Sequence, residues 1–301
     1  MSVGTYCQKS VETVTRDEPL RSAARQMESK GVGCLVAVDD HDRPIGVVTD
    51  RDAVLRGLER GRDPDQMSVG DIMSRLTSKA REATPVATAL QRMASDGVRR
   101  LPVVDSHGRL TGIFGYDDAL QLVARNIALA ADVARAQFPM TTSEPTGEGS
   151  WEIPTARGYH RDPVALDSQA SVQDAIDEME EAETGCVVVI GDDRAPIGIL
   201  TDRDIMCRVL AAGTDPQRTR VADVMSENVV CSSVDASLHA VLERAQTHAV
   251  RRIPLVDDSG RLVALVSLDD VVAELTAELA LLSDAVRTEM RESHPPALQR
   301  R

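Results

Sequence analysis

The sequence repeats itself without a gap at an offset of 152 residues, and no other feature narrows the possible folds so far. Gly33, Cys34, Pro44, Gly46, Thr49, Asp50, Arg51 and Asp52 recur as Gly185, Cys186, Pro196, Gly198, Thr201, Asp202, Arg203 and Asp204. Further on, Asp71, Met73, Arg99, Arg100, Pro102, Asp105, Gly108, Arg109, Leu110, Asp117 and Asp118 recur as Asp223, Met225, Arg251, Arg252, Pro254, Asp257, Gly260, Arg261, Leu262, Asp269 and Asp270. Each half is itself double, since Met27, Gly46 and Asp52 map onto Met93, Gly112 and Asp118 at a shift of 66. The chain therefore holds four copies of one unit in two pairs, and its 301 residues suffice for two ordinary domains.

Within each copy the apolar spacing reads as a helix followed by a hairpin and a second helix. Apolar residues fall at i, i+3, i+4 and i+7 in Leu20, Ala23, Ala24, Met27; Val86, Ala89, Leu90, Met93; Val172, Ala175, Ile176, Met179; and Leu238, Val241, Leu242, Ala245, which gives one buried stripe per helix. β-Branched runs such as residues 34–38 and 187–190 follow, then an Asp/Gly turn and a second run such as 45–48. A second helix starts at once and stops near Gly61 or Gly213. With a short strand in front, the order is βαββα, an α/β fold. In the second and fourth copies the closing helix is longer, about Asp117–Gln137 and Asp269–Glu292, and carries enough Leu, Ala and Val for a contact between modules or copies. The expected boundaries are repeats at 1–67, 68–139, 158–219 and 220–293, a polar linker at 140–157 and a disordered tail at 294–301.

Composition sets limits on function. Hydrophobic residues make up 42% of the chain and aromatics only 2%, so the cores must be aliphatic. A net charge of −14 repels nucleic-acid backbones and anionic lipid, so neither nucleic acid nor membrane is an expected partner. The five cysteines, Cys7, Cys34, Cys186, Cys207 and Cys231, form no CxxC pair, and reduced thiols without disulfide or zinc are expected. No signal-like or membrane-length apolar segment is present, and the expected setting is the cytoplasm.

The duplicated βαββα units, with a Gly-h-h-Thr-x-x-Asp signature (h, apolar) at Gly46–Asp52 and Gly198–Asp204 and an Arg-Arg-Leu/Ile-Pro strand at Arg99–Pro102 and Arg251–Pro254, resemble CBS domains, named for cystathionine β-synthase. The resemblance covers nearly the whole chain and implies two tandem Bateman modules, each a pseudo-twofold pair, with clefts that hold AMP, ADP, ATP or S-adenosylmethionine. It implies that Asp52 and Asp204 grip the ribose, which suits a carboxylate accepting from two vicinal hydroxyls. Thr49 and Thr201, at a strand-to-helix junction, with Arg51 and Arg203 beside them, are placed to meet phosphate. The resemblance also implies that the strand carrying Arg99, Arg100, Arg251 and Arg252 faces the cleft, which makes these arginines further phosphate candidates and would let each module combine a ribose grip from one repeat with arginines from its neighbour. Val11, Leu35, Val164 and Val187 would face the adenine. Repeat 2 has Gly115 where the signature has threonine, and repeat 4 has Ala264 where it has glycine, so Asp118, Ser267 and Asp270 mark weaker or vacant sites.

Plainer readings stand beside these. Thr-x-x-Asp is also a capping box, the arginines can be ordinary surface charges, and the four adenine-facing positions serve equally well as core. No Walker lysine, nucleophile elbow or His-Glu-x-x-His is present, and Gly31-Val-Gly33 lies between helix and strand, the reverse of a dinucleotide turn. The Glu178, Glu180, Glu181, Glu183 cluster reads as a solvated face. A non-catalytic nucleotide sensor is therefore expected, without metal, acting as a homodimer on an effector protein. A ligand-free dimerisation scaffold is the rival, and a nucleotide hydrolase the third possibility.

Overall fold

The structure, a computed structural model, describes residues 2–137, 162–273, 275–276 and 279–280. The linker 140–157, the tail 294–301 and the end of the closing helix of repeat 4 lie outside the described residues. In chain order the elements are α1 (Val3–Tyr6), β1 (Thr13–Thr15), α2 (Leu20–Lys30), β2 (Cys34–Val38), β3 (Pro44–Thr49), α3 (Asp50–Leu55), α4 (Val69–Ile72), β4 (Ser74–Arg75), β5 (Ala80–Arg81), α5 (Val86–Asp96), β6 (Arg100–Val104), β7 (Leu110–Gly115) and α6 (Tyr116–Gln137). The second half follows with β8 (Ala165–Asp167), α7 (Val172–Glu181), β9 (Cys186–Ile190), β10 (Pro196–Thr201), α8 (Asp202–Ile205), a π-helix at Met206–Ala211, α9 (Val221–Val224), β11 (Ser232–Ser233), α10 (Leu238–His248), β12 (Arg252–Val256) and β13 (Leu262–Ser267), with helix resuming at residue 268.

Each repeat is the expected βαββα unit. Its first strand runs parallel to the second and the second antiparallel to the third, as in β1-β2-β3, β5-β6-β7 and β11-β12-β13. The helical stripes do what their spacing requires: Leu20, Ala23, Ala24 and Met27 of α2 are all buried. Left-handed residues end these helices, Gly31 at φ 66° and Gly97 at φ 64°, while α10 ends on Ala249 at φ 52°. Three of the hairpin turns are built alike: the Oδ1 of Asp39, Asp105 or Asp257 accepts two backbone N–H groups at 2.8–2.9 Å.

The chain divides into two compact units, one of residues 1–150, 171–185 and 201–224, the other of residues 151–170, 186–200 and 225–301. In the first, the repeat boundary expected at 67/68 is crossed in both directions. Residues 2–8 leave repeat 1 and complete repeat 2: the Val3 and Gly4 N–H groups donate to Thr84 and Glu82 carbonyls at 2.8 and 2.9 Å, and Gln8 pairs with Ile113. Val3 and Cys7 enter the core of Ala80, Ala89, Met93, Leu101, Val103, Phe114 and Ala119. Reciprocally, α4 and β4 dock on repeat 1, with the Val69 and Gly70 N–H groups on the Glu18 and Arg16 carbonyls and β4 beside β3. Glycine is needed where the segments cross: a Cβ on Gly46 would meet Met73 Sδ at 2.7 Å, and one on Gly112 would meet Cys7 Sγ at 2.7 Å. Repeats 1 and 2 are thus one intertwined module.

The same unit contains a helical contact between repeats 1 and 3. α2 packs on the π-helix, and α3 packs on α8 and the π-helix. Arg21 Nη1 and Arg25 Nε donate to the carbonyls of Leu210 and Ala211 at 2.6 and 3.1 Å, which satisfies the end of the π-helix with positive charge. In the second unit, Cys186 and Val188 of repeat 3 pack with Leu262 and Leu265 of repeat 4, and the Leu262 N–H donates to the Arg194 carbonyl. The Leu110 N–H donates in the same way to the Asp42 carbonyl in the first unit.

Candidate functional site: the strand-to-helix junctions

Thr49 ends β3 in extended backbone and caps α3. Its Oγ1 and N–H both donate to Asp52 Oδ2, at 2.7 and 3.0 Å, and Oγ1 accepts from the Asp52 N–H at 3.2 Å. The other carboxylate oxygen, Oδ1, accepts from Ser74 Oγ at 3.3 Å and lies 3.1 Å from Arg56 Nη1. Repeat 3 copies this arrangement, with Thr201 on Asp204 Oδ2 at 2.6 and 2.9 Å and Arg208 Nη2 at 3.0 Å from Oδ1. The capping box is therefore real, and a ribose would have to displace Ser74 or Arg56 from Asp52. Asp118 accepts from the Gly115 N–H at 2.7 Å, and Ser267 bonds Asp270, so all four acids begin their closing helices in the same role.

The arginines do not share one placement. Arg100, half-buried at the start of β6, lies close enough to Cys34 and Asp50 of repeat 1 to act on both by charge. Arg99 stacks 5.2 Å over the Tyr116 ring, and Arg251 Nη2 is 3.4 Å from Asp269 Oδ1, so these two face their own closing helices. Arg252 is half-buried at the start of β12. Arg51 and Arg203 cross between repeats: Arg51 Nη1 stands 3.7 Å from Asp202 Oδ2, and the charge of Arg203 acts on Asp50.

Asp50 and Asp202 were legible as repeated residues but not as site residues. Burial pushes the Asp50 carboxyl above the ordinary carboxylate range, while the Arg51 N–H, Arg100 and Arg203 pull it down. Burial likewise pushes the Cys34 thiol up to about 11, which keeps it protonated and unreactive at neutral pH.

The four expected adenine-facing positions differ in burial. Leu35 and Val187 have no exposed surface, and neither do the residues that follow them, Val36 and Val188, so both faces of β2 and β9 are covered. Val11 and Val164 are half-buried but are not equivalent, since the Val36 N–H donates to the Glu12 carbonyl whereas the Val188 N–H donates to that of Val164. Among the described residues no group of three or more His, Cys, Asp or Glu could hold a metal, and no helix is long and apolar enough to cross a membrane.

A family model for the CBS domain matches four times, at residues 3–58, 69–125, 156–211 and 221–277. The chain belongs to the CBS domain family. A CBS domain-containing protein of Arabidopsis thaliana, CBSCBSPB1, is 24% identical over 305 residues, covering 93% of this chain and 55% of its own length. An uncharacterized protein of Methanopyrus kandleri is 37% identical over 122 residues, 40% of this chain and 62% of its own. The chain thus spans less than two thirds of the length of either curated relative. Among solved structures, a protein from Methanocaldococcus jannaschii described as a candidate archaeal homolog of g-AMPK superposes with a TM-score of 0.65 over 91% of this chain and all of its own, at 16% identity, a likeness of fold.

Proposed function

We propose that this CBS protein is a non-catalytic regulator that binds an adenine nucleotide, AMP, ADP or ATP, at the junctions of repeats 1 and 3, and that a partner protein reads the occupied state. The reading is carried by the convergence of Arg100, from repeat 2, on the junction where Thr49 and Asp52 begin α3 in repeat 1. Guanidinium groups at a helix start suit a phosphate, whereas the sulfonium of S-adenosylmethionine would add positive charge to positive charge. In the same reading the sites marked by Asp118, Ser267 and Asp270 are weak or vacant. A homodimer would cover Val123, Ile127 and Leu129, which α6 leaves exposed, and light scattering would then give twice the mass of one chain.

The rival, a ligand-free scaffold, draws on the full engagement of Asp52 and Asp204 in caps and ion pairs. Thermal unfolding with AMP, ADP, ATP and S-adenosylmethionine separates the two. A ligand at 100 times its Kd adds about 2.7 kcal/mol, each variant being compared with its own ligand-free baseline. We expect a shift with the nucleotides that vanishes in Asp52→Ala/Asp204→Ala. A shift that persists in the double variant would put the site elsewhere, and no shift with any compound favours the scaffold.

A further inference from the structure

Two positions vary in opposite senses along the four repeats. The residue before the second strand is Gly33, Arg99, Gly185 and Arg251, and the second residue of the closing helix is Arg51, Asp117, Arg203 and Asp269. In repeat 4 these two positions answer each other within the repeat, with Arg251 3.4 Å from Asp269. In repeats 1 and 3 the strand position has no side chain, and the space beside it is filled from across the repeat 1–repeat 3 contact. A Cβ on Gly33 would lie 3.2 Å from Arg203 Nη1, and a Cβ on Gly185 would lie 3.4 Å from Arg51 Nη1. The half-buried acid of each junction stands beside the same point, Asp50 Oδ2 at 2.8 Å and Asp202 Oδ2 at 2.5 Å from those Cβ positions. Neither glycine has positive φ, so it is close approach of an acid and a foreign guanidinium that requires glycine here.

We infer that repeats 1 and 3 trade arginines: Arg203 is the phosphate-binding residue of the junction containing Thr49 and Asp52, and Arg51 that of the junction containing Thr201 and Asp204. This rests on the nucleotide reading above and reverses the sequence-based placement of each arginine beside the threonine of its own repeat. Each guanidinium is held near a carboxylate that an arriving phosphate can replace, Arg51 by Asp202 and Arg203 by Asp50. Arg51 keeps 39% of its side-chain surface in solvent and is accessible to a ligand. Neither junction is complete without the other repeat, so filling one draws on the contact that joins them, which couples the two sites.

Calorimetric titration of AMP and ATP into the intact chain tests the trade. With only the repeat 1 junction competent, in Asp204→Ala, Arg203→Gln should weaken binding about tenfold more than Arg51→Gln, the scale of one charge-assisted hydrogen bond. With only the repeat 3 junction competent, in Asp52→Ala, the order should reverse. Asp204→Asn and Asp52→Asn serve as backgrounds if the alanine variants do not fold. If each arginine instead weakens the junction of its own repeat, the trade is wrong and nucleotide binding stands. If the unmodified protein takes up neither nucleotide, the functional reading falls and the phosphate role of both arginines falls with it.

Discussion

Replacing Val3 by alanine should damage repeat 2, although Val3 lies at the start of repeat 1 in the chain. Val3 is fully buried in a core made of repeat 2 residues, among them Leu101, Val103 and Phe114. The substitution removes two carbons, about 1.6 kcal/mol at about 0.8 kcal/mol per buried methylene. The void left behind adds about 1 kcal/mol, given about 24 cal/mol per Å³ of cavity. A loss of about 2–3 kcal/mol lowers the melting temperature of a unit this size by about 5–10 °C. Hydrogen exchange locates the damage. The Ile113 N–H is bonded to the Gln8 carbonyl and should exchange faster by about tenfold or more once the N-terminal segment opens more readily. The Val36 N–H, bonded to the Glu12 carbonyl inside repeat 1, should change much less. Faster exchange at Val36 but not at Ile113, or a stability loss below about 0.5 kcal/mol, would refute the intertwined arrangement.

Two further outcomes follow from the junctions. Gly185→Ala sets a methyl group 2.5 Å from Asp202 Oδ2 and should cost about 1–3 kcal/mol by overpacking, measured by urea unfolding; a neutral result would mean that the acid and arginine are not held there. Asp50 has a raised folded-state pKa, so its contribution to stability is fully present below the ordinary value of 3.8 and is lost as pH rises through the raised value. Asp50→Asn should therefore gain on the unmodified protein as pH increases across that window, and urea midpoints that keep a constant separation from about pH 3.5 to 6.5 would contradict the burial effect.

What could be read from the sequence is whatever a period or an offset encodes. The buried stripes of α2 and α7 follow directly from the spacing of Leu20, Ala23, Ala24, Met27 and of Val172, Ala175, Ile176, Met179. The Thr-x-x-Asp caps follow from side-chain chemistry three residues apart. The N-terminal segment was illegible because it offers little to read, Val3 and Cys7 buried in the core and Tyr6 packed against it, and nothing in their spacing names the repeat they fill. The nonequivalence of Val11 and Val164 is visible in the backbone, and it was available in the numbers too, since the offset pairs Val11 with Pro163. The reach of Arg51 was illegible for another reason: a long side chain has several directions open to it, and only the packing of α3 on α8 selects the one that crosses. Gly33 and Gly185 held the clue to that crossing, because an absent side chain alternating with arginine from repeat to repeat marks space reserved for something else.

The crossing of chain at the 67/68 boundary bears on how this protein can be divided. A fragment that begins after residue 8 leaves the free side of β7 without the strand partner that Gln8 supplies to Ile113, and a fragment that ends before residue 74 does the same to β3. Bare sheet edges of this kind recruit the missing segment from another molecule, so a lone half cut at that boundary would be prone to swap segments and oligomerise. The smallest piece that keeps both edges covered by its own chain is the pair of repeats taken together.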